Sequence, residues 1–594
     1  MSKKYKLNCQ VTNFGPKSQK LHSLDYNSIE LLDGPFKEAF DWEYDYYLNI
    51  SVDDMLYEMR KKANLDTRGG KTLASEASSW FHIGANVLGQ WLQAYARFYR
   101  STGRIEAKQK AIDLVSGLAE IAKISPCFFD GLGMYFFEKY LRGLTDCWLF
   151  CEIEQAYELA EGFIREAMNS EIYTKAKLLL GDNGPSPEIE WYTIPESILY
   201  FADAKEREKG INADDYRAFA KKFAYDTYWD IFQTECKHFH DYSPLGGQNT
   251  AYFHAYSHLN TLNSAAYFYQ VTNDEYYFNV IKNCYNWMKK EQAIATGAYG
   301  LHIEWLMPDT GKITALHNFH DSFESQCNSY AVYRVSNFLM AMTGEAKYGD
   351  WSERLLYNAT FASIHTDKEG HAFYYSDYNV NSSKKYRHPD TWTCCTGSRP
   401  LLLNELRRSI YFYNESGVYI AQYLASKVDI NGTKITIEGN YPTEDKVNVK
   451  VNFANKPNAF ILYLRKPDWS NQAILLLNGK EVEFNVVDGW IAVSGDWQEN
   501  NTVVLQMPTS LRVESIVAKK CGVAAIMEGP VCLASEGGID AGSETDFDQP
   551  YNCLEKIAPL HYQHKQSKTK WKPFFEYGEE EPYHLYFSLN EKLK

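Results

Sequence analysis

One helix-then-turn phrase recurs along this chain, as LQAYARFYRSTGR (92–104), NSAAYFYQVTND (263–274) and VSNFLMAMTGE (335–345). In each copy, apolar residues return at helical spacing until a Thr-Gly or Thr-Asn pair, the residue type that closes a helix, and a further helix follows. A unit of this kind cannot bury its apolar face alone and must stack on its neighbours. Stacked helical hairpins form an open solenoid or, if the ring closes, an α/α barrel. The pattern alone allows both, over residues 28–415.

Beyond residue 415 the texture changes. GVYIAQYLAS (417–426), KITIEGNY (434–441), KVNVKVNF (446–453), AFILYLRKP (459–467), AILLLNGKEVEF (473–484) and NTVVLQMP (501–508) are short, β-branched and alternating, with turn signals such as Asn478-Gly479 between them. They predict an antiparallel β-sandwich over 416–515. GVAAIMEGPVCLASE (522–536) predicts more strands, so 516–594 is expected to be a second sandwich or the remainder of the β region. YKLNCQVTNF (5–14) reads as a strand that places residues 1–27 on a sandwich. At 594 residues the chain exceeds what one core usually serves, in keeping with this division.

Charge narrows the function classes. Lys and Arg total 61 against 76 Asp and Glu, a formal net charge of −15, and no long basic run exists to grip phosphates, so no nucleic-acid partner is expected. MSKKYKLNCQVTNFGP lacks the apolar run of a secretion signal, and no stretch is long and apolar enough to predict a membrane span. The expectation is a cytoplasmic protein with no membrane partner. With 45 Tyr and 14 Trp the chain is rich in aromatics, which suits sugar-stacking clefts and dense helical packing equally.

The twelve cysteines show no disulfide spacing, yet Cys394 and Cys395 are adjacent in TWTCCTGSRP (391–400). Upstream, HNFHDSFESQC (317–327) supplies His317, His320, Asp321, Glu324 and Cys327. Zinc takes four ligands from Cys, His and carboxylates, and a helical Glu324 and Cys327 would share a face at i, i+3. Adjacent thiols also serve as buried apolar filler, and neighbours in a chain point in different directions, so the spacing leaves both readings open. Glu304, in TGAYGLHIEWLMP (296–308) beside Trp305, sits among apolar neighbours that would favour its protonated form, or it is an ordinary half-exposed Glu. His258, in YSHLNTLN (256–263), could bond a sugar hydroxyl or be a structural helix histidine.

Taken together, VLGQWLQAYARFYRSTG, FFEKYLRGLTD, SHLNTLNSAAYFYQVTND, ESQCNSYAVYRVSNFLMAMTGEAKYGDWSERLLYN, TWTCCTGSRP, LRKPDWS, LLLNGK and VAAIMEGPVCL resemble glycoside hydrolase family 127, the β-L-arabinofuranosidase family, across most of the chain. The resemblance implies an (α/α)6-barrel catalytic domain followed by antiparallel β-sandwich domains. It further implies a retaining exo-glycosidase acting on plant or algal glycan oligosaccharides, whose Zn2+ is held by a Glu and three Cys. Carried over, Cys394 is the nucleophile, Glu324, Cys327, Cys394 and Cys395 are the metal ligands, and Glu304 is the acid then base. Zinc ligation would keep the thiol ionised, and a neutral Glu opposite would protonate the departing oxygen.

This chain departs from the family pattern around the sugar. Glu324-Ser-Gln-Cys327 is one residue longer than the family's Glu-x-Cys; Asn86-Val-Leu-Gly89-Gln90 stands for His-x-Leu-Gly-His; and Glu138-Lys139 stands for His-Lys. His258, Asn260 and Thr261 keep His-x-Asn-Thr. His258, Asn86, Gln90, Glu138 and Trp305 are thus the expected substrate contacts. Arabinofuranose is the leading sugar, although relatives act on other unusual sugars such as anhydro-galactose and aceric acid. The competing classes are an α/α-barrel lyase or epimerase and a non-catalytic carbohydrate-binding protein with structural zinc. A homodimer is the assembly to test.

Overall fold

The computed structural model describes residues 19–73, 85–124, 133–174, 190–236, 239, 253–455, 460–516, 523–537 and 550–588. Among the described residues, twelve helices alternate between an outer and an inner layer. They are α1 (Pro35–Asn49), α2 (Ala85–Thr102), α3 (Ile105–Ile124), α4 (Met134–Cys151), α5 (Glu154–Asn169), α6 (Ile194–Lys209), α7 (Asp214–Lys221), α8 (Ala255–Thr272), α9 (Glu275–Trp287), α10 (Ser325–Thr343), α11 (Tyr348–Leu355) and α12 (Cys394–Arg408). The even-numbered helices pack side by side from α2 round to α12 and back to α2, so the ring closes and the fold is an α/α barrel, not a solenoid. The odd-numbered helices form the outer layer.

The recurring phrase is the end of an inner helix. Thr102, Thr272 and Thr343 each donate a hydroxyl hydrogen to the carbonyl four residues back, at 2.7, 2.7 and 2.8 Å. Each also accepts from the backbone N–H two residues on. Between these bonds the chain turns through a left-handed residue, Gly103, Asn273 or Gly344, which glycine and asparagine enter at least cost. The same three residues thus stop three inner helices and send the chain outward. Elsewhere α2 and α4 approach through Gly89 and Gly143; a Cβ on Gly143 would stand 2.4 Å from the Gly89 carbonyl oxygen. Inside the ring, Arg97 pairs with Asp146 (2.9 Å) and Arg142 with Glu196 (2.9 Å), all buried.

After α12 the described residues build a six-stranded and a seven-stranded sheet, mostly from residues 411–506. Two N-terminal strands complete them: β1 (His22–Ser23) pairs with Tyr411–Asn414, and β2 (Ile29–Leu31) with Ser426–Ile430. The strand expected over 5–14 lies outside the described residues. Among the described residues a nine-stranded sheet follows, which also takes in Ser383–Lys384, and its run of C-terminal strands begins earlier than expected: Leu511–Ser515 already pairs with Val523–Glu528. The switch between sheets falls at Met507-Pro508, where proline ends the ladder of Asn500–Gln506, ahead of the boundary expected after residue 515.

The LRKPDWS stretch docks the middle sheets on the barrel. Arg465, fully buried, reaches Asp350 (2.8 Å) and Glu353 (2.5 Å) on α11 and donates to the Ala421 carbonyl (2.6 Å). Trp469 Nε1 donates to the other Glu353 oxygen at 3.0 Å. Removing Arg465 would strand two buried carboxylates, which typically costs about 3–5 kcal/mol. Arg465→Met is therefore expected to lower unfolding free energy by that amount in a denaturant titration, while Lys427→Met, at an exposed ion pair with Glu30, is expected to change it by less than about 1 kcal/mol.

Candidate active site

The thiols are brought together at helix starts. Thr393 caps α12, its hydroxyl accepting from the Thr396 N–H at 3.4 Å, so Cys394 and Cys395 are the first two residues of the helix. A helix N-terminus carries partial positive charge and favours a thiolate. Cys327 lies in the first turn of α10. Glu324 is not helical as the i, i+3 reading required; it is the extended residue before α10, held by strand β3 (Phe323–Glu324) against β4 (Tyr375–Ser376). From there its Oε1 lies 3.5 Å from Cys394 Sγ and 3.4 Å from Cys395 Sγ. The longer Glu-Ser-Gln-Cys spacing still brings the carboxylate onto the thiols, because Glu324 projects from a strand instead of a helix.

Glu324, Cys327, Cys394 and Cys395 offer ligand atoms that all lie within 4.8 Å of one another. Three sulfurs and one carboxylate oxygen suit zinc better than the hard, oxygen-seeking cations. The thiols are not equivalent. Burial pushes Cys327 and Cys395 well above the ordinary thiol range, whereas hydrogen bonds from Cys327 and Cys395 hold Cys394 well below it. Cys394 is also the one of the three that is partly exposed. Burial, then the charges of Glu304 and Cys394, raises Glu324 well above the usual carboxylate range.

Glu304 faces this cluster from a short turn of helix, Leu301–Glu304, and its φ of +64° is unusual for a residue with a side chain. The turn packs on the start of α8 through Gly300, where a Cβ would stand 2.3 Å from that of Ala255. Glu304 accepts from Tyr375 Oη at 3.1 Å and lies 2.9 Å from His254 Nε2. The same nitrogen is 3.2 Å from Glu324 Oε2, so one imidazole bridges Glu304 and the thiol-bound carboxylate. Its other nitrogen meets Glu190. Burial opposes a charge on His254, but Glu190 and the bonds to all three carboxylates outweigh it and hold the ring well above the ordinary histidine value. Tyr374 Oη lies 3.6 Å from Cys394 Sγ.

The expected sugar contacts divide. His258 is fully buried, its nitrogens meeting Tyr192 (3.3 Å), Tyr225 (3.2 Å) and the His254 carbonyl (2.8 Å), and burial lowers it to about 3. It sits as a neutral core histidine with both ring nitrogens engaged, while His254, one helical turn earlier, is the imidazole that meets Glu304 and Glu324. Trp305 is half-buried and bridges His254 through the backbone. Glu138 is buried 3.7 Å from Lys139, whose ammonium stands 3.3 Å over the Tyr135 ring, and Tyr135 is one of the groups that hold Cys394 down. Gln90 is buried against α12, its Nε2 donating to the Cys394 carbonyl. Asn86 is in the first turn of α2, and its side chain lies outside the described residues. His317, His320 and Asp321 are not in the thiol cluster; His320 pairs with Asp377 and Asp321 with His302. Sequence reasoning missed His254, Glu190, Tyr374 and Tyr375. For His254 a signal existed, the one-turn offset from His258; for the two tyrosines none did, because they arrive by the β3–β4 pairing.

Comparison with known proteins fits this geometry. Two family models match: the catalytic domain of β-L-arabinofuranosidase, GH127, over residues 28–403, and the GH127 middle domain over 417–509. Among solved structures, a GH127 β-arabinofuranosidase superposes with a TM-score of 0.68 at 15% identity, over 97% of this chain and 99% of its own. A GH127 β-L-arabinofuranosidase from Geobacillus stearothermophilus T6 gives 0.67 at 16%, over 94% and 99%. A third, described as a glycoside hydrolase, gives 0.68 at 14%, over 98% and 100%. At such identity these three speak for the fold alone. A search of curated proteins finds no match. With the two family matches, the α/α barrel is that of a glycoside hydrolase. Within that class, the chain belongs to family 127, the β-L-arabinofuranosidase family. The lyase, epimerase and non-catalytic readings are set aside by that membership. No helix among the described residues is long and apolar enough to cross a membrane.

Proposed function

We propose that this enzyme is a retaining exo-glycosidase that removes a terminal β-L-arabinofuranosyl or related unusual sugar from plant or algal oligosaccharides. The observation that carries the reading is the depressed, partly exposed Cys394 at the head of α12, tied through Glu324 and His254 to Glu304. In the first step Cys394 Sγ attacks the anomeric carbon. As the S–C bond forms, the glycosidic C–O bond breaks and Glu304 passes its proton to the leaving oxygen. In the second, Glu304 takes a proton from water, the water oxygen bonds to the same carbon, and the S–C bond breaks. Two inversions return the starting anomer. His254 and Tyr375 hold the two oxygens of Glu304 in place for both proton transfers.

Glu324, Cys327, Cys394 and Cys395 would hold zinc, which supplies the positive charge that keeps the sulfurs ionised and moderates the basicity of Cys394. Glu138 and Trp305, with Asn86, are the side chains assigned to the sugar. Where the family pattern has His-Lys, Glu138 beside Lys139 presents a carboxylate; a hydrogen-bond mismatch in a buried subsite costs about 1–3 kcal/mol, enough to change which sugar fits.

A panel of aryl glycosides, each assayed with and without chelator and reductant, tests the reading. Hydrolysis of one β-L-arabinofuranoside or related glycoside with retention, lost about 100-fold or more on chelation and restored by zinc, is the expected result. Inversion of the anomer, or full activity in metal-stripped enzyme, would contradict it.

A further inference from the structure

Gln90 and Ser398 are buried polar residues that the reaction as written does not use, each about 1% exposed. Gln90 lies near the start of α2, and Ser398 stands one turn after Cys394 on α12. Gln90 Nε2 donates to the Cys394 carbonyl at 3.0 Å and to Ser398 Oγ at 2.9 Å. Because a carbonyl only accepts, the first of these bonds fixes which way the amide faces: its nitrogen is turned to the Cys394 carbonyl and Ser398, and Oε1 to Gly397 of the same helix. Gly397 makes the approach feasible, since a Cβ there would stand 2.3 Å from Gln90 Oε1. Ser398 Oγ, already accepting from the amide, has one hydrogen left to give, and Cys327 Sγ lies 3.0 Å away.

We propose that Gln90 and Ser398 form a relay that positions the metal-binding thiols: Gln90 fixes the backbone of Cys394 and turns the Ser398 hydroxyl so that it donates to the Cys327 sulfur. This rests on the reading of the cluster as a zinc centre. It makes Gln90 a positioning residue behind the nucleophile, in place of the sugar contact expected from sequence. A hydroxyl aimed at a ligating sulfur draws charge away from it and locks its direction, the kind of outer contact whose removal typically costs 10–100-fold in metal affinity or activity.

Ser398→Ala and Gln90→Met, which keep volume and remove the donors, test the relay in the full chain. Zinc affinity, measured by competition with a chromophoric chelator, is expected to fall about 10–100-fold in both. In the cobalt-substituted protein, the thiolate-to-metal charge-transfer band is expected to move to lower energy in Ser398→Ala, because a sulfur that loses its hydrogen bond gives up an electron more readily. At saturating zinc, kcat is expected to fall with KM unchanged. Gly397→Ala, which displaces the amide by steric contact, is expected to give the Gln90→Met phenotype. Zinc affinities within about threefold of wild type together with an unmoved cobalt band would overturn the relay. So would a Gln90→Met enzyme with raised KM and wild-type kcat, the signature of a lost sugar contact. A wild-type protein that takes up neither zinc nor cobalt would overturn the metal reading itself and the relay with it, whereas normal wild-type uptake with unaffected variants overturns the relay alone.

Discussion

Replacing Cys394 by serine is expected to reduce kcat/KM by at least about 10⁴-fold, the scale on which a covalent nucleophile is lost, with the fold intact. Oxygen replaces sulfur with little change in volume, and the cap at Thr393 and the helix behind it do not depend on the sulfur. A hydroxyl in that position stays protonated, since the forces that depress Cys394, hydrogen bonds from Cys327 and Cys395, act on a thiol that ionises far more easily than an alcohol. Cys395→Ser is the informative companion. Cys395 is fully buried and pushed up, so its loss should weaken zinc binding yet leave measurable turnover when zinc is in excess. Steady-state kinetics across a zinc titration separates the two; equal and complete loss in both variants, not reversed by zinc, would deny Cys394 its separate role.

Glu304→Gln is expected to lower kcat about 10²–10⁴-fold on a substrate with a poor leaving group, the usual contribution of a positioned acid and base. The amide keeps the shape and can still meet Tyr375 and His254, so affinity for the sugar should change little. On an aryl glycoside whose leaving group needs no proton, the first step should survive and the second should not. A burst followed by slow turnover is then expected, with azide restoring the rate by attacking without base assistance. A uniform loss for all leaving groups, with no azide rescue, would move the acid–base role to another carboxylate, and Glu190, on the other nitrogen of His254, is the one to test next.

Much of the architecture was written in local pattern. The Thr-Gly and Thr-Asn pairs mark helix ends because the threonine hydroxyl and the left-handed residue after it act within a few residues of one another, so the signal is local and legible at Thr102, Thr272 and Thr343. The alternation after residue 415 was equally local. Closure of the ring was not, since it depends on α12 returning to α2 across the whole barrel. The same division runs through the site. Glu324, Cys327, Cys394 and Cys395 could be grouped in advance by residue type and family likeness, but how Glu324 reaches the sulfurs depended on the pairing of β3 with β4. His258 matched the family phrase better than His254 did, yet Tyr192 and Tyr225 cover it and leave the earlier imidazole facing Glu304. Which of two residues one turn apart faces the cleft is decided by the neighbours that pack against them, and those neighbours are remote in sequence.

The central claim is that a bond forms between Cys394 and the sugar. Mass spectrometry of proteolytic peptides from Glu304→Gln enzyme, quenched during turnover of an aryl glycoside, reads that bond directly. The expected result is a single glycosyl adduct on the peptide carrying Cys394 and Cys395, fragmenting to place it on Cys394 and absent from the Cys394→Ser, Glu304→Gln double variant. An adduct on another residue, or a burst of product with no adduct on any peptide, would contradict it.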